Sequence, residues 1–151
     1  DLMGGAGIFL LSEGDPNLNS ILEQSTRYGQ EFVMVQQFLP EAKEGDKRIL
    51  LLDGEPLGAI LRVPKAGEFR GNLAAGGSAV ACDLTAADHA IVEAVAPRLR
   101  AEGLWFVGLD VIGGRLTEVN VTSPTGIREM SRFAERDLAA DVIRWGSARV
   151  R

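Results

Sequence analysis

Residues 104–122 read LWFVGLDVIGGRLTEVNVT and establish the kind of sheet that this chain forms. Two apolar runs flank a pair of glycines, which is the pattern of a β-hairpin because glycine enters positive-φ turn positions without steric cost. The first run is almost wholly apolar, so its strand is expected to be buried, yet Asp110 interrupts it. A lone buried carboxylate is costly unless a cation or a proton neutralises it. The hairpin is therefore where we expect a functional site.

The register of this hairpin determines whether its polar side chains meet. Glu118 and Asn120 are two residues apart on the second strand and so share one face of the sheet. A two-residue turn would pair Asp110 with Thr117 and direct the two carboxylates to opposite faces. A three-residue loop, Gly113-Gly114-Arg115, instead pairs Asp110 directly with Glu118. We predict the three-residue loop, with a glycine at positive φ.

Three oxygen-bearing side chains on one face suit a divalent cation. Asp110, Glu118 and Asn120 would supply the hard oxygen ligands that Mg²⁺ prefers, with phosphate and water completing the shell. An edge hairpin whose acids are simply solvated has the same spacing. From the spacing alone, both interpretations stay open.

The remaining pattern predicts a mixed α+β domain with a mainly antiparallel sheet. Apolar runs predict further strands at Gly7–Ser12, Glu31–Leu39, Lys47–Asp53 and Glu55–Val63, the last two joined by an Asp53-Gly54 turn. Helices are predicted from Asp15 to Gly29, over Thr85–Glu102, where Thr85 and Asp88 resemble a capping box and Pro97 should kink or break the helix, and over Thr125–Val150 with a break near Glu135–Asp137. The glycine-rich segment Pro64–Ala79 is predicted to be a mobile loop.

Composition excludes several classes of function. The 151 residues suffice for one domain, and the net charge of −5 argues against a nucleic-acid partner. No apolar stretch is long enough to span a membrane. One cysteine and one histidine exclude a disulfide, a cysteine-rich zinc site and histidine-pair metal motifs.

The chain opens on Asp1 and on a glycine-rich stretch, Met3–Gly7, so we expect it to begin inside a domain. Backbone N–H groups of such a stretch can contact phosphates, although no Gly-Lys-Ser/Thr follows to make it a P-loop. Arginines supply further phosphate-binding candidates, since their planar fork binds phosphate oxygens in pairs. Arg48 and Arg62 lie on the Asp53-Gly54 hairpin, and Arg70 lies in the glycine-rich segment.

Three stretches in this order resemble the prokaryotic glutathione synthetases of the ATP-grasp superfamily. They are RGNLAAGG at 70–77, VGLDVIG at 107–113 and LTEVNVTSPT at 116–125, and the likeness extends from Asp1 to about Glu129. The resemblance implies an ATP-grasp fold of which this chain is the C-terminal part, with the first strands and the two ATP-binding lysines lying upstream.

The resemblance also implies roles for individual residues. It implies a metal site of Asp110, Glu118 and Asn120. It implies ATP contacts from Met3, Gly4, Gly5, Gln36, Gln37, Phe38, Leu39, Asp46 and Arg48. It implies catalytic contacts to phosphate or the acyl substrate from Arg62, Arg70 and Asn72.

By the same resemblance, the expected activity is an ATP-dependent carboxylate–amine ligase. It would join γ-glutamylcysteine to glycine through an acylphosphate, with Mg²⁺ or Mn²⁺ as cofactor and ATP as co-substrate, in a cytoplasmic homo-oligomer. A glutamate or D-alanine type of ATP-grasp ligase, or a fragment that catalyses nothing, are the alternatives. The 151 residues alone are expected to be inactive, and Asp110→Asn is expected to abolish ligase activity without unfolding the protein.

Overall fold

The computed structural model describes residues 7–67, 71 and 76–149, and its centre is a five-stranded antiparallel sheet. In chain order the strands are β1 Asp46–Leu52, β2 Glu55–Val63, β3 Ser78–Ala81, β4 Phe106–Ile112 and β5 Arg115–Asn120. Their order in the sheet is β3-β2-β1-β4-β5. The helices are α1 Leu18–Ser25, α2 Ala86–Ala101, α3 Ile127–Phe133 and α4 Leu138–Ser147. The prediction of an α+β domain with antiparallel sheet is confirmed.

The first hairpin has the turn that its sequence predicts. Leu52 pairs with Glu55, which leaves Asp53 and Gly54 as a two-residue turn with φ of 55° and 73°. Both φ values are positive, as in a type I′ turn, whose twist matches that of the flanking strands.

The second hairpin closes more tightly than predicted. Ile112 pairs with Arg115 across a two-residue turn in which Gly113 and Gly114 have φ of 56° and 73°. The predicted three-residue loop is therefore wrong, because both glycines accept positive φ and Arg115 is free to join β5. The prediction of a glycine at positive φ is confirmed.

A β-bulge nevertheless gives the predicted pairing. Val111 pairs with Leu116, the register then shifts by one residue, and Asp110 pairs with Glu118. Thr117 is the extra residue, and its hydroxyl donates a hydrogen bond to the carbonyl of Asp110 at 3.1 Å. The bulge returns Glu118 to the face that carries Asp110, so the two acids share that face as predicted.

Helices cover both faces of the sheet. On one face α2 packs against the larger apolar cluster, which comprises Ile49, Leu51, Val92, Leu99, Val107, Leu109 and Val111. On the other face α3 and α4 cover only part of the sheet, through Leu50, Ile60, Met130 and Leu138. The uncovered part of that second face carries the charged residues described below.

Helix α2 begins with the predicted capping box. Thr85 accepts a hydrogen bond from the backbone N–H of Asp88, and the Asp88 carboxylate accepts one from the N–H of Thr85 at 2.7 Å. Helix α2 continues through Pro97 to Ala101, so the predicted break at Pro97 is wrong. Pro97 is exposed, so the carbonyl that its ring displaces can turn towards solvent.

Oδ2 of Asp88 also accepts a hydrogen bond from Nζ of Lys47 at 2.5 Å, and Asp88 is almost fully buried. Burial acts to raise the pKa of Asp88, but the hydrogen bonds from Lys47 and Thr85 outweigh it and hold that pKa below its usual range.

We expect Asp88→Asn to lower the free energy of unfolding by about 2 kcal/mol at neutral pH, since it removes a cap and a charged hydrogen bond together. A lowered pKa stabilises the fold above the unfolded-state value near 4 and loses that contribution as the pH falls. The difference between wild type and variant should therefore shrink in urea unfolding below about pH 4. A difference that stays constant from pH 3 to pH 7 would contradict this account.

The two C-terminal helices match their prediction. They are separated at Ala134–Asp137, and the Asp137 carboxylate caps α4 by accepting the N–H of Ala140 at 3.0 Å. Leu138 at the start of α4 is buried against the sheet. Within the described ranges, none of the helices combines the length and the apolar character that a membrane span requires.

The segment before β1 differs most from its prediction. Residues 7–12 and 31–39 are irregular, so both predicted strands are wrong. Helix α1 is present but shorter than predicted, and none of its residues is buried. Apolar runs form strands only when a neighbouring strand completes their hydrogen bonds, and the described sheet offers these runs none.

The glycine-rich segment contributes one strand that the sequence did not indicate. Ser78–Ala81 forms β3 and pairs with β2 at the edge of the sheet, so the loop predicted over Pro64–Ala79 ends two residues early. The strand is short and follows the glycine pair Gly76-Gly77, which explains why pattern alone assigned it to the loop.

Candidate active site

The charged residues on the uncovered face form two rows across the sheet. Arg48 on β1 pairs with Asp110 on β4, which in turn pairs with Glu118 on β5. In the next row Asp46 on β1 pairs with Arg62 on β2. Residues paired across neighbouring strands share a face, with Cβ atoms about 5 Å apart. Four strands therefore bring together two arginines and three carboxylates.

Asp110 and Arg48 form a buried side-on ion pair. The Nε of Arg48 donates to Oδ1 of Asp110 at 2.5 Å, and Nη2 donates to Oδ2 at 2.9 Å. Only 5% of Asp110 and 6% of Arg48 is exposed. The third donor group of Arg48, Nη1, bonds the carbonyl of Thr125 at 3.2 Å, which ties the chain before α3 to the pair.

Arg62 bridges two carboxylates. Its Nη2 lies 2.9 Å from Oδ2 of Asp110 and also donates to Oδ2 of Asp46. Arg62 is 5% exposed, so its charge is balanced by these acids rather than by bulk solvent. Asn120 approaches the same Asp110 oxygen through Nδ2 at 3.5 Å.

Asp110 and Asp46 differ in their readiness to ionise. Burial acts to raise the pKa of Asp110, but the hydrogen bond from Arg48 and the charges of Arg62 and Arg48 together hold it below its usual range. Burial raises the pKa of Asp46 to about 6, opposed by Arg62 and assisted by the negative charge of Asp110. Asp110 is thus the permanently charged member of the site at neutral pH.

The raised pKa of Asp46 predicts how the free energy of unfolding changes with pH in the absence of metal. In the folded state Asp46 keeps its proton up to a pKa of about 6. The unfolded chain loses that proton near pH 4, so the free energy of unfolding should fall as the pH rises between about 4 and 6. Urea titrations in EDTA should show this decline in the wild type and not in Asp46→Asn. A decline of equal size in that variant would assign the effect to another group.

Glycine at two positions permits the close approaches in this site. A Cβ on Gly108 would lie 2.9 Å from Cβ of Pro124 and 3.3 Å from Cδ of Arg48. A Cβ on Gly71 would lie 2.9 Å from the carbonyl oxygen of Arg62 and 3.1 Å from Cβ of Asp46. The glycine-rich segment therefore contacts the charged cluster at Gly71.

The structure brings together six of the residues named from the sequence. They are Asp46, Arg48, Arg62, Asp110, Glu118 and Asn120. Gln36 and Gln37 are exposed, and Phe38 and Leu39 are half-buried, in an irregular segment that ends at the 3₁₀ turn Pro40–Lys43. Met3, Gly4, Gly5, Arg70 and Asn72 lie outside the described residues, so their predicted contacts stay predictions.

The predicted metal ligands share a face and have suitable chemistry. Oδ1 of Asp110 accepts only one hydrogen bond from the described residues, and Glu118 is exposed on the same face. The described ranges contain no group of three or more His, Cys, Asp or Glu side chains placed to hold a metal. A site here would thus combine two carboxylates with the amide oxygen of Asn120, and such a hard, oxygen-only donor set fits Mg²⁺ or Mn²⁺.

Sequence reasoning missed the arginine contacts of Asp110. It predicted a cation or a proton as the neutralising partner without naming it, and the guanidinium groups of Arg48 and Arg62 are that partner in this structure. The signal was absent because β1 and β4 are neighbours only in space, and Arg48 and Asp110 are 62 positions apart in the chain. The carbonyl of Thr125 was missed for the same reason.

The fold defines the class to which this domain belongs. A family model for an ATP-grasp domain matches most of the chain, and the fold is similar to that of a D-alanine–D-alanine ligase of Bacillus anthracis solved in complex with ATP. That structure matches 86% of this chain with a TM-score of 0.50 at 15% identity, and the match covers 46% of the ligase.

The family is narrower than the fold class. The family model for the ATP-grasp domain of prokaryotic glutathione synthetase matches residues 1–135, and the chain belongs to this family. A glutathione synthetase of Synechococcus elongatus is 65% identical over 129 residues, which cover 85% of this chain and 40% of that protein. One from Thermosynechococcus vestitus is 57% identical over 142 residues, which cover 94% of this chain and 45% of that protein. The chain therefore spans less than half the length of these relatives.

Proposed function

We propose that this chain supplies the metal- and phosphate-facing part of the active site of an ATP-dependent ligase that joins γ-glutamylcysteine to glycine. The observation that carries the proposal is the row formed by Arg48, Asp110 and Glu118, which sets a charged acid between a buried arginine and an exposed acid. Membership of the glutathione synthetase family supports the choice of substrates. The proposal includes Mg²⁺ or Mn²⁺ at the site and ATP as co-substrate.

Each residue of the cluster has a distinct task in this proposal. Asp110, Glu118 and Asn120 would hold the divalent cation, which when bound neutralises phosphate charge and orients the transferred group. Arg62 lies between Asp46 and Asp110, and a guanidinium N–H that these acids leave free would contact the phosphoryl group or the acyl substrate. Arg48 uses each of its three nitrogens in a hydrogen bond to Asp110 or Thr125, so its main task would be to orient Asp110.

The proposed reaction has two steps. The cysteinyl carboxylate of γ-glutamylcysteine attacks the γ-phosphorus of ATP, the bond from that phosphorus to the bridging oxygen breaks, and ADP leaves. The glycine amine then attacks the acyl carbon, the carbon–oxygen bond to phosphate breaks, and the amine gives up a proton. Positioning and charge neutralisation dominate phosphoryl transfer, so no protein nucleophile is required.

A chimera tests the proposal directly. Residues 1–135 of this chain would replace the matching segment of the Synechococcus elongatus glutathione synthetase, which is 65% identical to this chain over 129 residues. We expect ADP release that requires both γ-glutamylcysteine and glycine, at a rate within about tenfold of the parent enzyme, or about 1.4 kcal/mol in the barrier.

The parent enzyme carried through the same purification is the control. A folded chimera that releases ADP equally with glutamate or D-alanine as the amine would contradict the choice of substrates. A folded chimera that releases no ADP with any of these amines would contradict the assignment of a ligase site to this chain.

A further inference from the structure

Two buried polar atoms in the charged cluster lack partners, and they belong to the same ion pair. Among the described residues, neither Nε of Arg62 nor Oδ1 of Asp46 has a hydrogen-bond partner. The two side chains already meet through Nη2 of Arg62 and Oδ2 of Asp46. An unpaired donor or acceptor in a buried site is costly, so a shift of Arg62 that joined these two atoms would be favourable.

The neighbouring arginine shows what that shift would produce. Arg48 presents the edge formed by Nε and Nη2 to both oxygens of Asp110. Arg62 contacts Asp46 through Nη2 alone, and the same nitrogen lies 2.9 Å from Oδ2 of Asp110. Arg62 cannot be centred on two carboxylates at once. Turning towards Asp46 would complete a side-on pair and withdraw a donor from Asp110.

Asp110 is at the same time the most heavily engaged acid of the cluster. Its Oδ2 accepts from Arg48 and Arg62 and lies 3.5 Å from Nδ2 of Asn120, and its Oδ1 accepts from Arg48. A carboxylate has about four lone-pair positions, so a cation that binds Asp110 competes with these donors. Arg62 is the donor with a second acid beside it.

We propose that Arg62 is a transferable counter-ion, which Asp46 takes over as a complete side-on pair when a divalent cation engages Asp110. Asp46 is in this view a positioning residue that acts through Arg62. The inference rests on the proposed metal centre and adds to it a means of freeing Asp110 without leaving a buried arginine unpaired. It also explains why a second acid lies beside Arg62 on the strand that carries Arg48.

A double-mutant cycle on the 151-residue chain tests the inference, with binding of MgCl₂ followed by NMR. Asp46→Asn should weaken Mg²⁺ binding about fivefold in the wild-type background, because Arg62 then stays on Asp110. In an Arg62→Met background the same change should alter binding by less than about twofold, because the residue that Asp46 acts through is gone. Glu44→Gln removes one exposed negative charge nearby and is the matched control, with little effect expected in either background.

Simple attraction between Asp46 and the cation predicts the opposite result in the cycle. Asp46→Asn would then weaken binding equally in both backgrounds, and that outcome would overturn the inference while leaving the metal centre in place. Arg62→Lys keeps the charge but lacks the side-on edge, so it serves in the same cycle where Arg62→Met fails to fold. Absence of any saturable Mg²⁺ binding by the wild type would overturn the metal centre and the inference with it.

A direct readout comes from the arginine side chains themselves. Saturation with MgCl₂ should protect the Nε proton of Arg62 from exchange with water, since it gains Oδ1 of Asp46 as acceptor. The Nε proton of Arg48 is bonded already and provides the internal reference. The protection should be absent in Asp46→Asn, and an unchanged Arg62 signal in Mg²⁺-saturated wild type would refute the transfer.

Discussion

Replacing Asp110 by asparagine is expected to lower the free energy of unfolding by about 3 kcal/mol, as well as to remove a proposed metal ligand. Asp110 is 5% exposed and balances two arginines that are as deeply buried. An amide keeps the shape of the side chain but not its charge, and an uncompensated buried charge is far more costly than a lost surface ion pair. Urea unfolding of the 151-residue chain at pH 7, without metal, measures the effect.

Asp46→Asn is the matched control, because it removes the other acid that contacts Arg62. Burial raises the pKa of Asp46 to about 6, so the fold gains little from its charge at pH 7. We expect that variant to be neutral or slightly more stable. If Asp110→Asn costs no more stability than Asp46→Asn, the account of Asp110 as the central counter-ion is wrong.

This expectation revises the interpretation of the sequence. The sequence alone treats Asp110 as a metal ligand whose replacement leaves the fold intact. Its arginine partners show that the same carboxylate also neutralises the interior of the sheet. Loss of ligase activity in Asp110→Asn would therefore have two causes, and that variant cannot separate them.

The features that the sequence predicts correctly are those with local causes. The Asp53-Gly54 turn, the capping box of α2 and the break before Asp137 each depend on residues a few positions apart. The pairing of Asp110 with Glu118 was also predicted, although a bulge at Thr117 produces it rather than a longer loop. A three-residue loop with a regular ladder and a two-residue turn with a one-residue bulge both pair Asp110 with Glu118. The alternation of side chains along the two strands is compatible with either arrangement.

The features that the sequence fails to predict have causes distant along the chain. The contact between Arg48 and Asp110 requires β1 to lie beside β4, which no pattern within either strand specifies. The apolar runs at 7–12 and 31–39 have the composition of strands but pair with no strand of the described sheet. Composition sets the tendency of a segment to form a strand. The strand forms only where a neighbouring strand, distant along the chain, supplies the backbone hydrogen bonds.

Glu118→Gln is expected to lower ADP release while leaving the stability of the fold almost unchanged. Glu118 is exposed, and the hydrogen bonds and ion pairs of the described residues do not involve its carboxylate. We expect its loss to change the free energy of unfolding by less than about 0.5 kcal/mol, as is usual for surface substitutions. In the Synechococcus elongatus chimera we expect ADP release to fall at least about 100-fold, since a metal ligand contributes several kcal/mol to phosphoryl transfer.

Glu93→Gln is the matched control for Glu118→Gln, because Glu93 is an exposed acid on α2, which covers the opposite face of the sheet. It should leave both stability and ADP release unchanged.

The register of β4 and β5 places Glu118 beside Asp110, so a charge at this position is useful only if a cation binds between them. Like charges directly opposite each other destabilise a ladder, and Glu118→Gln would relieve that repulsion. A variant that is slightly more stable and inactive would identify Glu118 as a ligand retained at the expense of stability, whereas full activity would show that these two acids are solvated neighbours.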